Sequence, residues 1–405
     1  MNKTFLIFNL FISISLLADK LELNDAIEKT LQNHPDIKSS SLKVQQSSAS
    51  YKSAFSDYLP QVNLQANYNI KDAVYDHSWN IGATLKQKIW DFSKTSNLVD
   101  ASKIDEDISK LSVEDLKNLL AYKVKSLYEQ MILYTETIKV REQDLQLKED
   151  YYKQAKALVE QGLKTQADAS SFLSAVYLAK TNLSDAKASY EKVKNSLSLY
   201  MGEDIKDGVE LDSSVLTKDI KFSTIKIDNI LEKNYDLKID KKTIDKNILL
   251  HNSTKASHFG SIDALASYSY IDNVKSYDTT TLGLSLNIPI YSGGKLSAES
   301  QKARIGSQIA QEQKASKELA LREELESLVI DIKRYNKTIE SKQAQLRASQ
   351  DAKKVLDARY KEGFTTYIEV LDSASSVLNA QLGVLESFYK KSLAINRINY
   401  LRGIK

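Results

Sequence analysis

Few residues of this chain are spaced for chemistry. The four histidines, His34, His77, His251 and His258, are scattered without ligand spacing, so packing or surface roles suit them better than a metal site. There is no cysteine, which excludes disulfides, thiolate metal sites, cysteine nucleophiles and a lipidated N-terminal cysteine. Ser292-Gly293-Gly294-Lys295 lacks the spacing of a phosphate-binding loop and reads as a strand-to-helix corner. What remains is a pair of acids, Glu369 and Asp372, just after the turn at Tyr360-Lys361-Glu362-Gly363. An acid in the first turn of a helix complements its dipole. That account suits Glu369 better than Asp372, which sits a full turn in. No enzymatic activity, metal or cofactor is expected.

The elements that carry this pair are unusual for a globular enzyme. Leu282, Leu284, Leu286, Ile288 and Ile290 alternate with Gly283, Ser285 and Asn287, the period of a strand with one apolar face. After Tyr291-Ser292-Gly293-Gly294 come about seventy residues without proline and with one glycine, Gly306, which predicts one very long helix. It ends at Gly363, and a second helix follows over about 367–401.

The first half repeats this plan. Ile81-Gly82-Ala83-Thr84-Leu85 matches Leu282-Gly283-Leu284-Ser285-Leu286 at an offset of 201, as do Gly162 and Gly363, Thr165 and Thr366, Asp168 and Glu369, and Gly202 and Gly403. An offset of 200 pairs Val62 with Ile262, Ala66 with Ala266 and Tyr68 with Tyr268. The one-residue difference falls between the two strands, where an insertion is cheap. The chain is therefore an internal duplication. Its expected divisions are a signal segment 1–18, a first repeat 19–202, a linker 203–226 and a second repeat 227–405. Strands are expected over about 60–70, 79–90, 260–271 and 281–291, with tips at residues 162 and 363.

Composition narrows the class. The 405 residues are 42% hydrophobic and 27% charged, with net charge +3. Acids and bases alternate along the helices as on solvated faces, so no nucleic-acid partner is implied. Met1-Asn2-Lys3 and the apolar run 5–17 read as a secretory signal cut near Ala18, too short for a comfortable membrane span. Between the second strand and Gly162 the apolar residues Leu116, Leu119, Leu120, Val124, Leu127 and Met131 form a narrow stripe suited to coiled-coil packing.

Each strand is about ten residues, roughly 33 Å, and at a tilt of about 45° would span roughly 24 Å, the height of the apolar band of a membrane barrel. Alternation also fits a two-layer sandwich, but four strands are too few to bury two sheets. Four cannot close a barrel either, and open edges do not persist in lipid. If the strands lie in a membrane, several chains must pool them.

With these features the chain resembles the TolC-like outer-membrane efflux family. The resemblance rests on Ala26 through Asn33-His34-Pro35, on Tyr58-Leu59-Pro60, on Asn287-Ile288-Pro289-Ile290-Tyr291-Ser292-Gly293-Gly294-Lys295, and above all on Tyr360-Lys361-Glu362-Gly363 with Ile368-Glu369-Val370-Leu371-Asp372. It implies a mainly α fold with a membrane β-barrel: a homotrimer whose twelve strands form one barrel in the outer membrane of a Gram-negative cell, over a tunnel of long coiled-coil helices in the periplasm. The implied partners are a periplasmic adaptor, an inner-membrane pump and outer-membrane lipid. The resemblance assigns Glu369 and Asp372 to carboxylate rings at a pore constriction, Asp168 and Tyr360 to contacts closing the tip, and Gly162, Leu163, Gly363 and Phe364 to the adaptor-facing surface. It departs from the family at Thr365, where an arginine is usual. The competing expectation is a periplasmic coiled-coil adaptor or a structural rod, although adaptors usually have one helical hairpin rather than two.

Overall fold

The computed structural model describes residues 20–71, 76–217, 226–272 and 275–404; the expected signal segment and part of the linker lie outside them. The elements in order are β1 (Lys20–Leu21), α1 (Leu23–Asn33), α2 (Pro35–Phe55), β2 (Gln61–Lys71), β3 (Asp76–Trp90), α3 (Lys94–Glu160), α4 (Gln166–Met201), β4 (Glu210–Leu211), α5 (Ser214–Thr217), α6 (Ile227–Lys233), α7 (Tyr235–Ala256), β5 (Ser261–Asp272), β6 (Tyr277–Asn287), α8 (Lys295–Lys361) and α9 (Tyr367–Leu401). At 67 residues each, α3 and α8 are about 100 Å long. Among the described residues no helix is long and apolar enough to cross a membrane.

The compact units do not follow the repeats. One unit takes the described residues of Met1–His34, Leu120–Lys221 and Asp331–Asn396, the other those of Pro35–Leu119, Phe222–Ile330 and Arg397–Lys405. Each combines parts of both repeats, because α3 and α8 contribute residues to both.

The second unit holds one open antiparallel sheet of order β2-β3-β5-β6. Its register puts like with like. Val62 faces Leu85, Leu85 faces Ala266 and Ala266 faces Leu282 across the four strands. One row on, Asn63 faces Thr84, Thr84 faces Ser267 and Ser267 faces Thr281. Side chains alternate faces along a strand, so one face is mainly apolar and the other mainly hydroxyls and amides, with the ion pair Lys86–Asp263 among them. Among the described residues nothing covers the apolar face: Leu282 is 85% exposed, and Val62, Leu64, Ile70 and Leu284 are exposed as well.

Two strand boundaries differ from the sequence reading. β3 begins at Asp76 rather than near Trp79. β6 spans 277–287 rather than about 281–291, leaving Ile288 to Tyr291 outside the sheet. Pro289 has no N–H to give to a ladder, and β6 is an edge strand with β5 on one side only. Phe92 and Ser93 turn the first strand-to-helix corner with positive φ (56° and 68°), where the second repeat has Gly293 and Gly294 (63° and 82°). The duplicated architecture thus imposes the same left-handed turn on both sequences. In the first corner it is held by Asp91, which accepts from the Thr95 backbone N–H at 2.9 Å.

The helices of the second unit are tied by polar contacts. Arg397 of α9 meets Glu324 of α8 at 2.6 and 3.2 Å. Lys317 of α8 meets Asp240 of α7 at 2.8 Å, and Asn118 of α3 donates to the Tyr400 carbonyl at 2.8 Å. In the first unit Val124, Tyr128, Met131 and Ile132 of α3 pack with Val193, Leu197 and Met201 of α4, and with Leu21, Ile205 and Leu216. The fully buried Tyr128 hydroxyl donates to the Leu21 carbonyl (2.8 Å) and accepts from the Asp212 N–H (3.1 Å), pinning the short parallel β1–β4 bridge to α3. The described part of the linker is thus docked against helices.

Candidate functional site: the helical hairpin tips

Both hairpins of the first unit turn on the same device. α3 ends with Gly162 in the left-handed region (φ 72°), whose N–H donates to the Val159 carbonyl while Leu163 N–H reaches Leu158. α8 ends likewise at Gly363 (φ 79°), with Gly363 N–H on Tyr360 and Phe364 N–H on Arg359. These paired bonds satisfy carbonyls that a helix end would otherwise orphan. In this motif the residue after the glycine commonly packs back on the helix. Here Leu163 and Phe364 are 66% and 73% exposed, so both tips present an uncovered apolar side chain.

Each return helix starts with a reciprocal cap. The Asp168 N–H donates to Thr165 Oγ1 (3.3 Å), and the Thr165 N–H donates back to Asp168 Oδ2 (3.0 Å). In the second tip the Glu369 N–H donates to Thr366 Oγ1 (3.4 Å) and the Thr366 N–H to Glu369 Oε2 (2.8 Å). The Thr365 hydroxyl also donates to Glu369 Oε2. That hydroxyl first, and the Thr366 backbone N–H next, hold the Glu369 carboxyl below the usual carboxylate range. Glu369, expected at a constriction ring, caps its own helix within the chain. Its Oε2 is engaged in a cap, as its first-turn position suggested, and Thr365 is the residue that engages it. Asp372 is exposed and lines a groove between α8 and α9 with Glu369, Ser349, Leu356, Ser373 and Ser376.

Behind the turns lies a cluster of Tyr151, Ala155, Ala169, Phe172, Tyr360, Val370 and Ala374. Phe172 meets Tyr360 edge-on with ring centres 5.9 Å apart. Tyr360 is only 1% exposed, and its hydroxyl has no hydrogen-bond partner among the described residues. Asp168, also expected to take part in closing the tip, is turned to Thr165 within the chain. Burial first, and the Asp168 charge second, raise the Tyr360 hydroxyl above its ordinary value. Lys164 lies over the Tyr360 ring at 5.3 Å.

The tie that does join α3 to α8 was not read from sequence. Tyr151 donates to Asp357 Oδ1 at 2.6 Å, and Lys353 pairs with Asp357 Oδ2 at 2.6 Å while lying 5.6 Å from the Tyr151 ring centre. Burial and the Asp357 carboxylate push the Tyr151 hydroxyl well above its ordinary value. Further along α3, Glu129 is 1% exposed and accepts from Asn396 of α9 at 2.7 Å; burial raises its carboxyl. Among the described residues no group of three or more histidines or acids is placed to hold a metal.

An open sheet with an exposed apolar face in one unit, and two helical hairpins with matched capped tips in the other, define the class of chain. The chain belongs to the outer membrane efflux protein family, whose model matches residues 26–203 and 227–401, one match per repeat. It is 25% identical over 415 residues to the probable outer membrane lipoprotein SilC of Salmonella typhimurium, covering 93% of this chain and 84% of that protein. Its fold is that of CusC (TM-score 0.86, 17% identity, covering 95% of this chain and 92% of that one). It is also that of VceC from Vibrio cholerae (TM-score 0.83, 15% identity, 94% and 96%) and of the Campylobacter jejuni CmeC channel (TM-score 0.84, 16% identity, 94% and 85%).

Proposed function

We propose that this chain is the subunit of a trimeric outer-membrane channel-tunnel, the passive exit duct for an inner-membrane pump and its periplasmic adaptor. The observation that carries the reading is the sheet: four strands, two free edges, one face apolar and bare, the other lined with Asn, Gln, Ser and Thr. An apolar outer face beside a polar inner one suits lipid outside and water within. Open edges force copies to share strands, and three copies make twelve, enough to leave a wet lumen.

The helices support the same assembly. On α8, Ile305, Ile309, Leu319 and Ile330 are exposed and fall within about 80° of one another at 100° per residue. This is a stripe awaiting another copy's helices. At the tip, three copies of Asp372, with the free oxygen of Glu369, would ring a narrow opening and attract cations. The Tyr151–Asp357–Lys353 knot holds α3 to α8 beside that opening, and Tyr360 packs behind the turn with Phe172. The exposed Leu163 and Phe364 offer an apolar foothold to the adaptor.

Outer-membrane fractions should yield a heat-resistant oligomer that conducts ions in a planar bilayer. A monomer released with the periplasm, without conductance, would favour the adaptor reading instead.

A further inference from the structure

All four places where the sheet meets a helix lie at one end of the sheet. β2 starts there after α2, β3 ends there before α3, β5 starts there after α7 and β6 ends there before α8. The register sets Gln61 against Lys86, Lys88 against Asp263 and Ser261 against Asn287 at this end. The apolar face finishes here in aromatic rings. A register shift between Lys88 and Trp90 places Trp90 opposite Ile262, which itself faces Leu286. Paired residues share a face, so the bulge turns Trp90 away from the side of Lys86 and Lys88 and onto the apolar one. Phe92 lies 6.2 Å from Trp90 and 5.3 Å from Phe259, and Phe55 lies 5.6 Å from Tyr58, centre to centre. All five rings are exposed.

A lysine stands directly beyond these rings on each of the four helices. Lys52 and Lys255 are in the last turns of α2 and α7, and Lys94 and Lys295 are the first residues of α3 and α8. All four are exposed. Lys52 is about 4.5 Å along its helix from Phe55, and the headgroup layer of a bilayer is roughly 5–8 Å deep on each side. Lys52, Lys94 and Lys255 form no ion pair among the described residues, and Lys295 has only Glu299, at 4.0 Å. In the segments 51–60, 91–95, 254–262 and 288–299 the acids are Asp57, Asp91 and Glu299; Asp91 is 8% exposed and turned to Thr95.

We infer that these four lysines form a collar that binds the phosphates of anionic glycerophospholipid in the leaflet on the helical side of the sheet. The inference rests on the reading that the sheet lies in lipid, and adds the headgroup it selects and the residues that select it. Aromatic rings mark the edge of the hydrocarbon. A lysine stem can run outward over such rings and hold its ammonium at the level of the phosphates.

Helix dipoles account for only half of the collar. A cation suits a last turn, as at Lys52 and Lys255, and is opposed at a first turn. The helices α1, α2, α4, α6, α7 and α9 each carry an acid in the first turn. The long helices α3 and α8, which leave the sheet, carry none and begin with lysine. Lys94 and Lys295 are repeat partners at the offset of 201, identical although the residues before them, Phe92-Ser93 and Gly293-Gly294, differ. An anion outside the chain supplies the negative charge that both helix starts lack. The other end of the sheet has the opposite balance: segments 71–78 and 271–278 hold four acids against two lysines.

Trp90 reports on the collar, since Trp79, at the other end of the sheet, is the one other tryptophan. In the W79F protein, quenching of Trp90 by phosphatidylglycerol with brominated acyl chains is compared with quenching by brominated phosphatidylcholine at equal mole fraction in vesicles. Phosphatidylglycerol should be favoured about fivefold or more at low salt, and less at about 0.5 M salt. K94Q/K295Q should bring the preference to within about twofold, whereas K139Q/K337Q, the same charge change elsewhere on α3 and α8, should leave it unchanged. W90F, which reports from Trp79, should show no such preference. Bilayer conductance checks that each variant folds; if K94Q/K295Q does not conduct, K52Q/K255Q takes its place under the same criteria. Equal quenching by the two lipids, a preference that survives K94Q/K295Q, or one lost equally in K139Q/K337Q overturns the collar while leaving the sheet in lipid. Loss of the preference to inorganic phosphate but not to chloride of matched ionic strength would make the site one for free phosphate and overturn the lipid assignment. No quenching by either lipid would remove the membrane reading with it.

Discussion

Asp115 of α3 offers a quantitative test of the helical packing. Its half-buried carboxyl is pushed up from 3.8 to about 6, first by burial and next by the Asp236 carboxylate of α7, against the opposing pull of Lys317 of α8 and a Tyr400 hydrogen bond from α9. A shift of about two units corresponds to about 3 kcal/mol at about 1.4 kcal/mol per unit. Solvent screening of a partly exposed group reduces that to about 1–2 kcal/mol. The sign follows from linkage. A carboxyl whose folded pKa is raised makes the fold most favourable below its unfolded pKa near 3.8, and that advantage is lost as pH rises through about 6. Asp115→Asn keeps an acceptor for Tyr400 and removes the charge. It should stabilise the protein at pH 7.5 by about 1–2 kcal/mol and do little at pH 3.5. The assay is denaturant unfolding followed by tyrosine and tryptophan fluorescence from pH 3.5 to 8. Destabilisation by Asp115→Asn at pH 7.5 with little effect at pH 3.5 would refute the reasoning, because it would make the ionised carboxylate a net asset.

Three further outcomes are expected. Replacing Glu369 and Asp372 together by Gln and Asn should reduce block by multivalent cations in planar-bilayer conductance, and an unchanged block would remove their role in a ring. Tyr151→Phe deletes the 2.6 Å bond to Asp357, a charge-assisted bond worth about 1.5–3 kcal/mol, and should speed amide exchange in the last turns of α3 and α8 while leaving α1 unchanged. Gly363→Ala puts a Cβ on a φ of 79° with nothing within 4 Å, so its penalty is purely conformational, about 1–2 kcal/mol; it should lower the thermal midpoint by a few degrees, and a neutral result would mean the turn relaxes.

The strands were legible because their alternation depends on the solvent on either side, not on any partner. The repeat was legible because a fixed offset survives drift in side-chain identity: Phe92-Ser93 and Gly293-Gly294 share no chemistry yet make the same turn. The caps were spelled out as Thr165-x-x-Asp168 and Thr366-x-x-Glu369, and reading those spellings first would have placed Glu369 in a cap before a pore. The end of β6 was not legible, because how far a strand runs depends on whether another lies beside it, and no local pattern records that. Tyr151 with Asp357, and Glu129 with Asn396, are 206 and 267 residues apart. Each is an ordinary polar residue in a helical pattern until the fold brings them together.

The mass of the particle extracted from outer membranes in mild detergent bears most directly on the whole account. Native mass spectrometry should find three copies of the chain, and the same preparation should conduct in a bilayer. A single copy recovered from the soluble periplasm would contradict it.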